Sequence, residues 1–284
     1  MKHNILHLQH IVEQHDNLSL KLNWDMLEAR DDNENSFYHL HEGQLVGFLA
    51  LYPFGDKVEV CGMVHPDYRR QGIFTKLIKE SITMKLEQQY KEILLNTPAN
   101  SSSGVAFLRQ IPCQLGYTEY QMKYYPLEKT AGTAQNDNHL NQSIKLDPYQ
   151  PELHQHFFAQ LDVDGFGESE DVAIEYYEKL SFIDQSQYFV VMKEDQAVGK
   201  IRISHESKDE VWLYGFVISA AMRGQGIGRV VLEHIVERES KLGVNVWLEV
   251  ALNNDHARYL YESVGFQVQH EQSYYKWSRS FFYS

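Results

Sequence analysis

The chain has 284 residues, 43% apolar and 13% aromatic, which allows two ordinary domains with cores of their own and excludes a disordered polymer. Its formal net charge is −13, with 12 Lys/Arg against 16 Asp/Glu in residues 1–128 and 14 against 23 in residues 129–284. That balance opposes a nucleic-acid backbone and favours a cationic small molecule or peptide amine.

In the first half, Ser36 to Leu40 and Leu45 to Tyr52 read as strands around a turn at Glu42-Gly43-Gln44. An apolar run from Val58 to Val64 follows, then a Gly-containing turn, then a helix expected from about Thr75 to Tyr90, with Leu77, Ile78, Ile82 and Leu86 on one face. Ile93 to Asn96 is a short strand, and Val105 to Arg109 a short helix before Gly116-Tyr117. Residues 129–143 are small and polar without apolar period, and are expected to be a linker between domains at 1–128 and 144–284. In the second half the same order returns. Tyr188 to Met192, Ala197 to Ser204 and Val211 to Ile218 are strands, and a helix from about Arg229 to Leu242 stops at Gly243. Val244 to Val250 is a strand, His256 to Val264 a helix ending at Gly265-Phe266, and Tyr274 to Trp277 closes the sheet. The repeated order is an internal duplication at about one domain length.

The two Gly turns carry the most information. Val64 to Phe74 and Ile218 to Gly228 align, matching Arg69, Gln71, Gly72 and Ile73 with Arg223, Gln225, Gly226 and Ile227. A Gly-rich turn from strand into helix presents backbone N–H groups to an anion such as a pyrophosphate. Arg229 occupies the third glycine position of a Rossmann fingerprint, and neither copy ends in the Lys-Ser/Thr of a P-loop.

Arg223-x-x-Gly226-x-Gly228 resembles the acyl-CoA pyrophosphate loop of the GNAT N-acetyltransferases. Asn254, Ala257, Tyr261 and Gly265-Phe266 are similar in spacing to that family's last motif block. The first half is similar only through Arg69 to Phe74 and Gly116-Tyr117. The layout of one complete and one degenerate copy resembles that of mycothiol synthase. The resemblance implies an α/β fold of two tandem GNAT-like domains, each a twisted mixed sheet flanked by helices, and acetyl-CoA as co-substrate. It implies cofactor contacts from Val217, Ile218, Arg223, Gly224, Gln225, Gly226, Ile227, Gly228, Arg229 and Asn254.

Acetyl transfer to an amine requires loss of the ammonium proton, polarisation of the thioester carbonyl and protonation of the departing thiolate. Tyr261 is the candidate acid and Glu249 the candidate base, because the segment from Leu248 to Phe266 resembles the ribosomal-protein alanine acetyltransferases, where the matching pair serves those roles. The competing readings are a core aromatic beside Leu260 and a solvated strand residue. In the first half Phe74 replaces the last glycine, putting a bulky side chain beside the loop, and the strand at Ile93 to Asn96 has no carboxylate. The second domain is therefore expected to catalyse.

Seven acids and no Lys or Arg lie between Leu161 and Glu178, and a cationic acceptor would be drawn to such a rim. Phe166 between Gly165 and Gly167 suggests a shaped loop there. The histidines lack metal-ligand spacing, so no metal is expected. Two cysteines make no disulfide framework, the N-terminus has no apolar signal core, and the longest near-apolar run is too short for a bilayer. The expectation is a cytoplasmic enzyme, with a homodimer as the candidate assembly and no membrane or nucleic-acid partner. A non-catalytic acyl-CoA-binding regulator is the alternative. A Fem-type aminoacyl-transferase also pairs two such domains, but the acidic charge and lack of basic clusters count against it.

Overall fold

The computed structural model describes residues 1–31, 35–127 and 138–278. In chain order the elements are α1 (Lys2–Asp16), α2 (Trp24–Ala29), β1 (Ser36–His41), β2 (Gln44–Phe54), β3 (Lys57–Val64), α3 (Ile73–Ser81), α4 (Met84–Gln89), β4 (Glu92–Pro98), α5 (Ser102–Leu108) and β5 (Cys113–Tyr124). They continue with α6 (Asn138–Ser143), β6 (Ile144–Pro148), α7 (Pro151–Phe166), α8 (Glu170–Glu178), α9 (Phe182–Gln185), β7 (Tyr188–Lys193), β8 (Gln196–His205), β9 (Glu210–Ile218), α10 (Ile227–Lys241), β10 (Asn245–Ala251), α11 (Asp255–Val264) and β11 (Phe266–Trp277). Two compact units result, one of Met1–Tyr120 with His270–Ser284, the other Gln121–Gln269.

In unit 1 the strands run in the order β1-β2-β3-β4-β11, with β1 and β2, β2 and β3, and β4 and β11 antiparallel and β3 beside β4 parallel. Strand β2 is buried from Leu45 to Tyr52, as its near-continuous apolar run requires of a strand covered on both faces. Strand β3 alternates. Val58 and Val60 pack with Ile73, Leu77 and Ile78 of α3, while Cys61 and Met63 pack with Ile5, Leu8 and Val12 of α1. The helix expected at 75–90 is two helices. Ile82 leaves helical dihedrals (φ −90°, ψ 85°), and the Thr83 hydroxyl accepts from Leu86 N at 3.3 Å, which starts α4 afresh.

In unit 2 the order from β5 outward is β5-β10-β9-β8-β7-β6, with β9 and β10 parallel. One face packs under α7 and α8 through Tyr149, Phe158, Tyr177 and Tyr188. Helix α10 buries Ile227, Val231, Leu232 and Ile235.

The boundaries differ from the sequence reading in two places. The final strand was expected to close the second sheet, yet Gln272 to Lys276 pair antiparallel with Pro98 to Leu94 of β4, inside unit 1. In the expected linker, residues 129–137 lie outside the described residues, and Asn138–Ser143 form α6. Helices α1, α2, α7 and α8 and most of β5 were not anticipated, for want of a clean apolar period.

Candidate functional site

The two Gly turns adopt one backbone conformation. Each strand ends in a 3-10 turn, Pro66–Tyr68 after β3 and Ala220–Met222 after β9. Arg70 and Gly224 then take left-handed φ of 63° and 75°, and Gly72 and Gly226 take 76° and 79°. The preceding Arg braces each turn, Arg69 Nε donating to Val64 O at 3.1 Å and Arg223 Nε to Ile218 O at 2.8 Å. Helices α3 and α10 begin with no capping side chain and no acid in the first turn. Their first N–H groups are left for solvent or an anion, and the helix dipole favours the anion. The chemistry of both turns therefore fits a pyrophosphate.

Beyond each turn the parallel strands part. The β3–β4 ladder ends at Val60 opposite Leu95, and the β9–β10 ladder ends at Leu213 opposite Leu248. Asn96 and Glu249 are thus the first residues past the last rung. The Asn96 side chain donates to Glu59 Oε2 at 3.2 Å, and Glu249 accepts from Gln121 Nε2 at 3.0 Å. Of the two strands that lead into these turns, β9 carries a bulge and β3 does not. The register of β9 against β8 slips by one residue between Lys200 and Arg202, and Gly215 takes φ 57°. A bulge leaves one residue outside the ladder and re-aims its neighbours. Strand β3 runs in unbroken register with β2.

The bulky side chain expected beside the first loop packs on the strand that leads into it. The Phe74 ring lies over Gly62 and meets Phe107 edge-on at 5.1 Å. In unit 2 the glycine and the phenylalanine exchange places: Gly228 on the helix faces Phe216 on the strand.

The candidate residues of unit 2 divide by what their side chains already do. Gly228 brings the loop against α11, since a Cβ there would stand 3.1 Å from Leu260 Cδ2, one residue before Tyr261. Tyr261 is 8% exposed, and burial pushes its hydroxyl up to about 12, so it is protonated at neutral pH. The Asn254 side chain caps α11 by accepting from Ala257 N at 3.1 Å. Arg229 holds α10 to α11 through Ser263, donating to its carbonyl and hydroxyl at 3.0 and 2.7 Å. Gln225 accepts from Lys193 at 3.0 Å, Ile227 is core, and Val217 packs on Gly165 of α7. Ile218 closes β9, its carbonyl taken by Arg223.

The comparisons decide the family. Residues 3–110 and 151–266 match the Acetyltransferase (GNAT) family. This chain belongs to the GNAT family. It is 33% identical over 97 residues to the [ribosomal protein bS18]-alanine N-acetyltransferase of Salmonella typhimurium and 42% identical over 59 residues to that of Escherichia coli K12. Those matches cover 33% and 20% of this chain, and span 66% and 40% of the relatives' lengths. Among solved structures it is similar to a GCN5-related N-acetyltransferase from Sphaerobacter thermophilus, at TM-score 0.73 and 17% identity over 96% of this chain and 91% of that one. A tandem GNAT protein from the clavulanic acid biosynthesis pathway matches at TM-score 0.67 and 14% identity over 98% of this chain and 95% of the other. The fold is therefore GNAT in tandem, and proteins of this family use acetyl-CoA.

In this GNAT chain the acidic run does not form the loop expected at Phe166. Helix α7 continues to Phe166 and is capped by left-handed Gly167 (φ 71°). Asp162 is engaged within unit 2, pairing with buried Lys200 and accepting from the Tyr177 hydroxyl at 2.6 Å. Sequence reading also missed a cavity of about 560 Å³ in unit 1, where β3 and β4 part. Its lining includes Arg70, Gly72 and Phe74 of the turn and α3, Cys61, Asn96 and Thr97 of the two strands, and Lys21 from the segment between α1 and α2. Among the described residues no cluster of three or more His, Cys, Asp or Glu forms a metal site, and no helix is long and apolar enough to cross a membrane.

Proposed function

We propose that unit 2 transfers an acetyl group from acetyl-CoA to the primary amine of a small molecule or peptide. The observation that carries this reading is the uncapped N-terminus of α10 beneath left-handed Gly224 and Gly226, directly after the bulged strand β9. The N–H groups from Gly224 to Gly228 hold the pyrophosphate, Asn254 Nδ2 adds a donor, and Val217 and Ile218 form the strand edge along the pantetheine. The ladder residue freed by the bulge supplies an N–H to polarise the thioester carbonyl. Glu249, past the last paired rung, accepts the proton of the acceptor ammonium, and Tyr261 protonates the leaving thiolate. A peptide acceptor is supported by the names of the relatives, which act on an alanine of ribosomal protein bS18. A cationic one is supported by the net charge of −13. The test is an acceptor screen with acetyl-CoA that reads free thiol, starting from cationic peptides with N-terminal alanine. Saturable turnover with an amine and its loss in Tyr261→Phe are expected. CoA binding without turnover on any amine would instead favour a non-catalytic acyl-CoA sensor.

A second CoA ester site in unit 1 is favoured by the cavity running from the Arg70–Gly72 turn to the parted strands. Arg69 is neutralised there by Asp16 at 2.9 and 2.7 Å, and Arg70 and the turn amides are the groups proposed to meet the phosphates.

A further inference from the structure

Unit 1 has polar side chains in and next to the lining of its cavity that the proposed reaction of unit 2 does not use. Lys21, from the segment between α1 and α2, lines the cavity together with Cys61 and Asn96 of the parted strands. Its Nζ donates to the Tyr274 hydroxyl at 2.5 Å and lies 5.3 Å from the centre of that ring. Tyr117 stacks on Tyr274 at 4.6 Å. Glu59 comes from β3, two residues before Cys61, and accepts from Asn96 at 3.2 Å. Asn96 stands in β4 where β10 has Glu249. The carboxylate missing from β4 is thus supplied by the neighbouring strand. Glu59 and Lys21 bear on the same groups, Glu59 raising and Lys21 lowering both the Cys61 thiol and the Tyr117 hydroxyl, whose values are set mainly by burial.

A primary amine therefore lines the same cavity as the Arg70–Gly72 turn, and Asn96 in that lining holds the Glu59 carboxylate. We propose that Lys21 is an acetyl acceptor in cis, modified by acetyl-CoA bound in unit 1. The inference rests on the reading of that cavity as a CoA ester site. Lys21 Nζ loses a proton, relayed by Glu59 to solvent, and its lone pair forms a bond to the thioester carbonyl carbon. The carbon–sulfur bond breaks, and the thiolate takes up a proton to leave as CoA thiol. The nitrogen sheds its second proton to become a neutral amide, so that one proton is released in all. Acetylation removes the positive charge of Lys21 and breaks the ammonium contact with Tyr274.

The test uses the full-length protein and isotope-labelled acetyl-CoA, with peptide mass spectrometry on Lys21 and calorimetric counting of CoA sites. Lys21 should acquire the label at a rate independent of protein concentration. It should outpace the exposed Lys179 by on the order of 10²-fold, as expected for a positioned amine. Arg70→Glu keeps the left-handed position occupied by a non-glycine residue and sets a carboxylate at the turn. It should remove one CoA site and the Lys21 label together. Glu59→Gln should retain both CoA sites and slow the labelling. If Arg70→Glu removes a CoA site while wild-type Lys21 labels no faster than Lys179, the inference fails and the cavity assignment stands. If the number of CoA sites is the same in wild type and Arg70→Glu, the cavity assignment fails and the inference with it.

Discussion

The Phe74 ring fills the space that a side chain on Gly62 would need: its Cε2 stands 2.7 Å from the place of a Cβ there. In unit 2 the pair is reversed, with Phe216 on the strand and its ring 3.8 Å from the place of a Cβ on Gly228. Each unit thus has one ring between the strand end and the first turn of the helix; in unit 1 the ring leaves no room for a Cβ on Gly62, whereas in unit 2 a Cβ on Gly228 would be tight against Leu260 Cδ2 at 3.1 Å and in ordinary contact with the ring. The Phe74 ring packs over glycine on the strand, and the turn at Gly72 keeps its left-handed conformation.

The exchange makes a prediction about size. Gly62→Ala meets Phe48 O at 2.5 Å and Leu49 Cα at 3.0 Å as well as the ring, and backbone cannot step aside. A loss of about 1–3 kcal/mol is expected, read as a lower urea midpoint at unchanged slope. Gly228→Phe should be destabilising alone and less so with Phe216→Gly, with a coupling of roughly 0.5–3 kcal/mol.

Much of this arrangement is legible in the sequence. The spacing of Arg69 and Gly72, and of Arg223, Gly226 and Gly228, places both turns between strand and helix, and Asn254 announces the start of α11 by its capping side chain. The Gly62–Phe74 contact is not legible, because it joins residues of two elements through a ring whose direction no local pattern encodes. Glu59 escaped for a similar reason: it reaches Asn96 across neighbouring strands, and alternation alone marks it as a polar strand residue. The place of residues 270–277 in unit 1 depends on long-range pairing with β4, which a short apolar run does not specify.

Charge at the second turn is tested by two substitutions of one shape. Gly226 is left-handed, where Asp and Asn are tolerated better than other residues. Its Cβ would stand 3.3 Å from Leu140, so both variants share one steric cost. Gly226→Asp should weaken CoA binding well beyond Gly226→Asn in calorimetry. Equal affinities would mean that the turn amides do not meet the phosphates.

The ion pair of Lys200 and Asp162 is costly to break and cheap to replace. Lys200 is 2% exposed, and burial lowers its ammonium pKa against the opposing pull of Asp162. Asp162→Asn leaves that charge uncompensated, and a loss of about 3–5 kcal/mol is expected. Adding Lys200→Met should recover most of it in chemical denaturation.

Acid should loosen unit 1 through Asp16. Burial raises its carboxyl, but the Arg69 hydrogen bonds and charge, with His15, outweigh that and hold it below the usual 3.8. The sign follows: the contribution is present above 3.8 and is lost as pH falls through the lowered folded value. Asp16→Asn should flatten that acid limb in a pH series of melting temperatures.

Tyr261→Phe separates catalysis from packing. The substitution keeps the ring, which meets Phe266 edge-on at 6.0 Å, and removes only the hydroxyl. A positioned general acid contributes roughly 10²–10⁴-fold, so kcat should fall by that factor. Acetyl-CoA affinity should hardly change, because the lost interaction belongs to the transition state. The melting temperature should stay close to wild type, since the core contact survives. The hydroxyl titrates only near 12, so an alkaline limb below that value in the pH–rate profile belongs to another group and should persist in the variant. A purely structural tyrosine gives the opposite pattern in the kinetics, near-normal kcat, with a melting temperature lowered or unchanged. Steady-state kinetics beside thermal melting distinguishes the two. Wild-type turnover, where the chemical step limits the rate, would remove Tyr261 from the reaction and leave water as the proton donor.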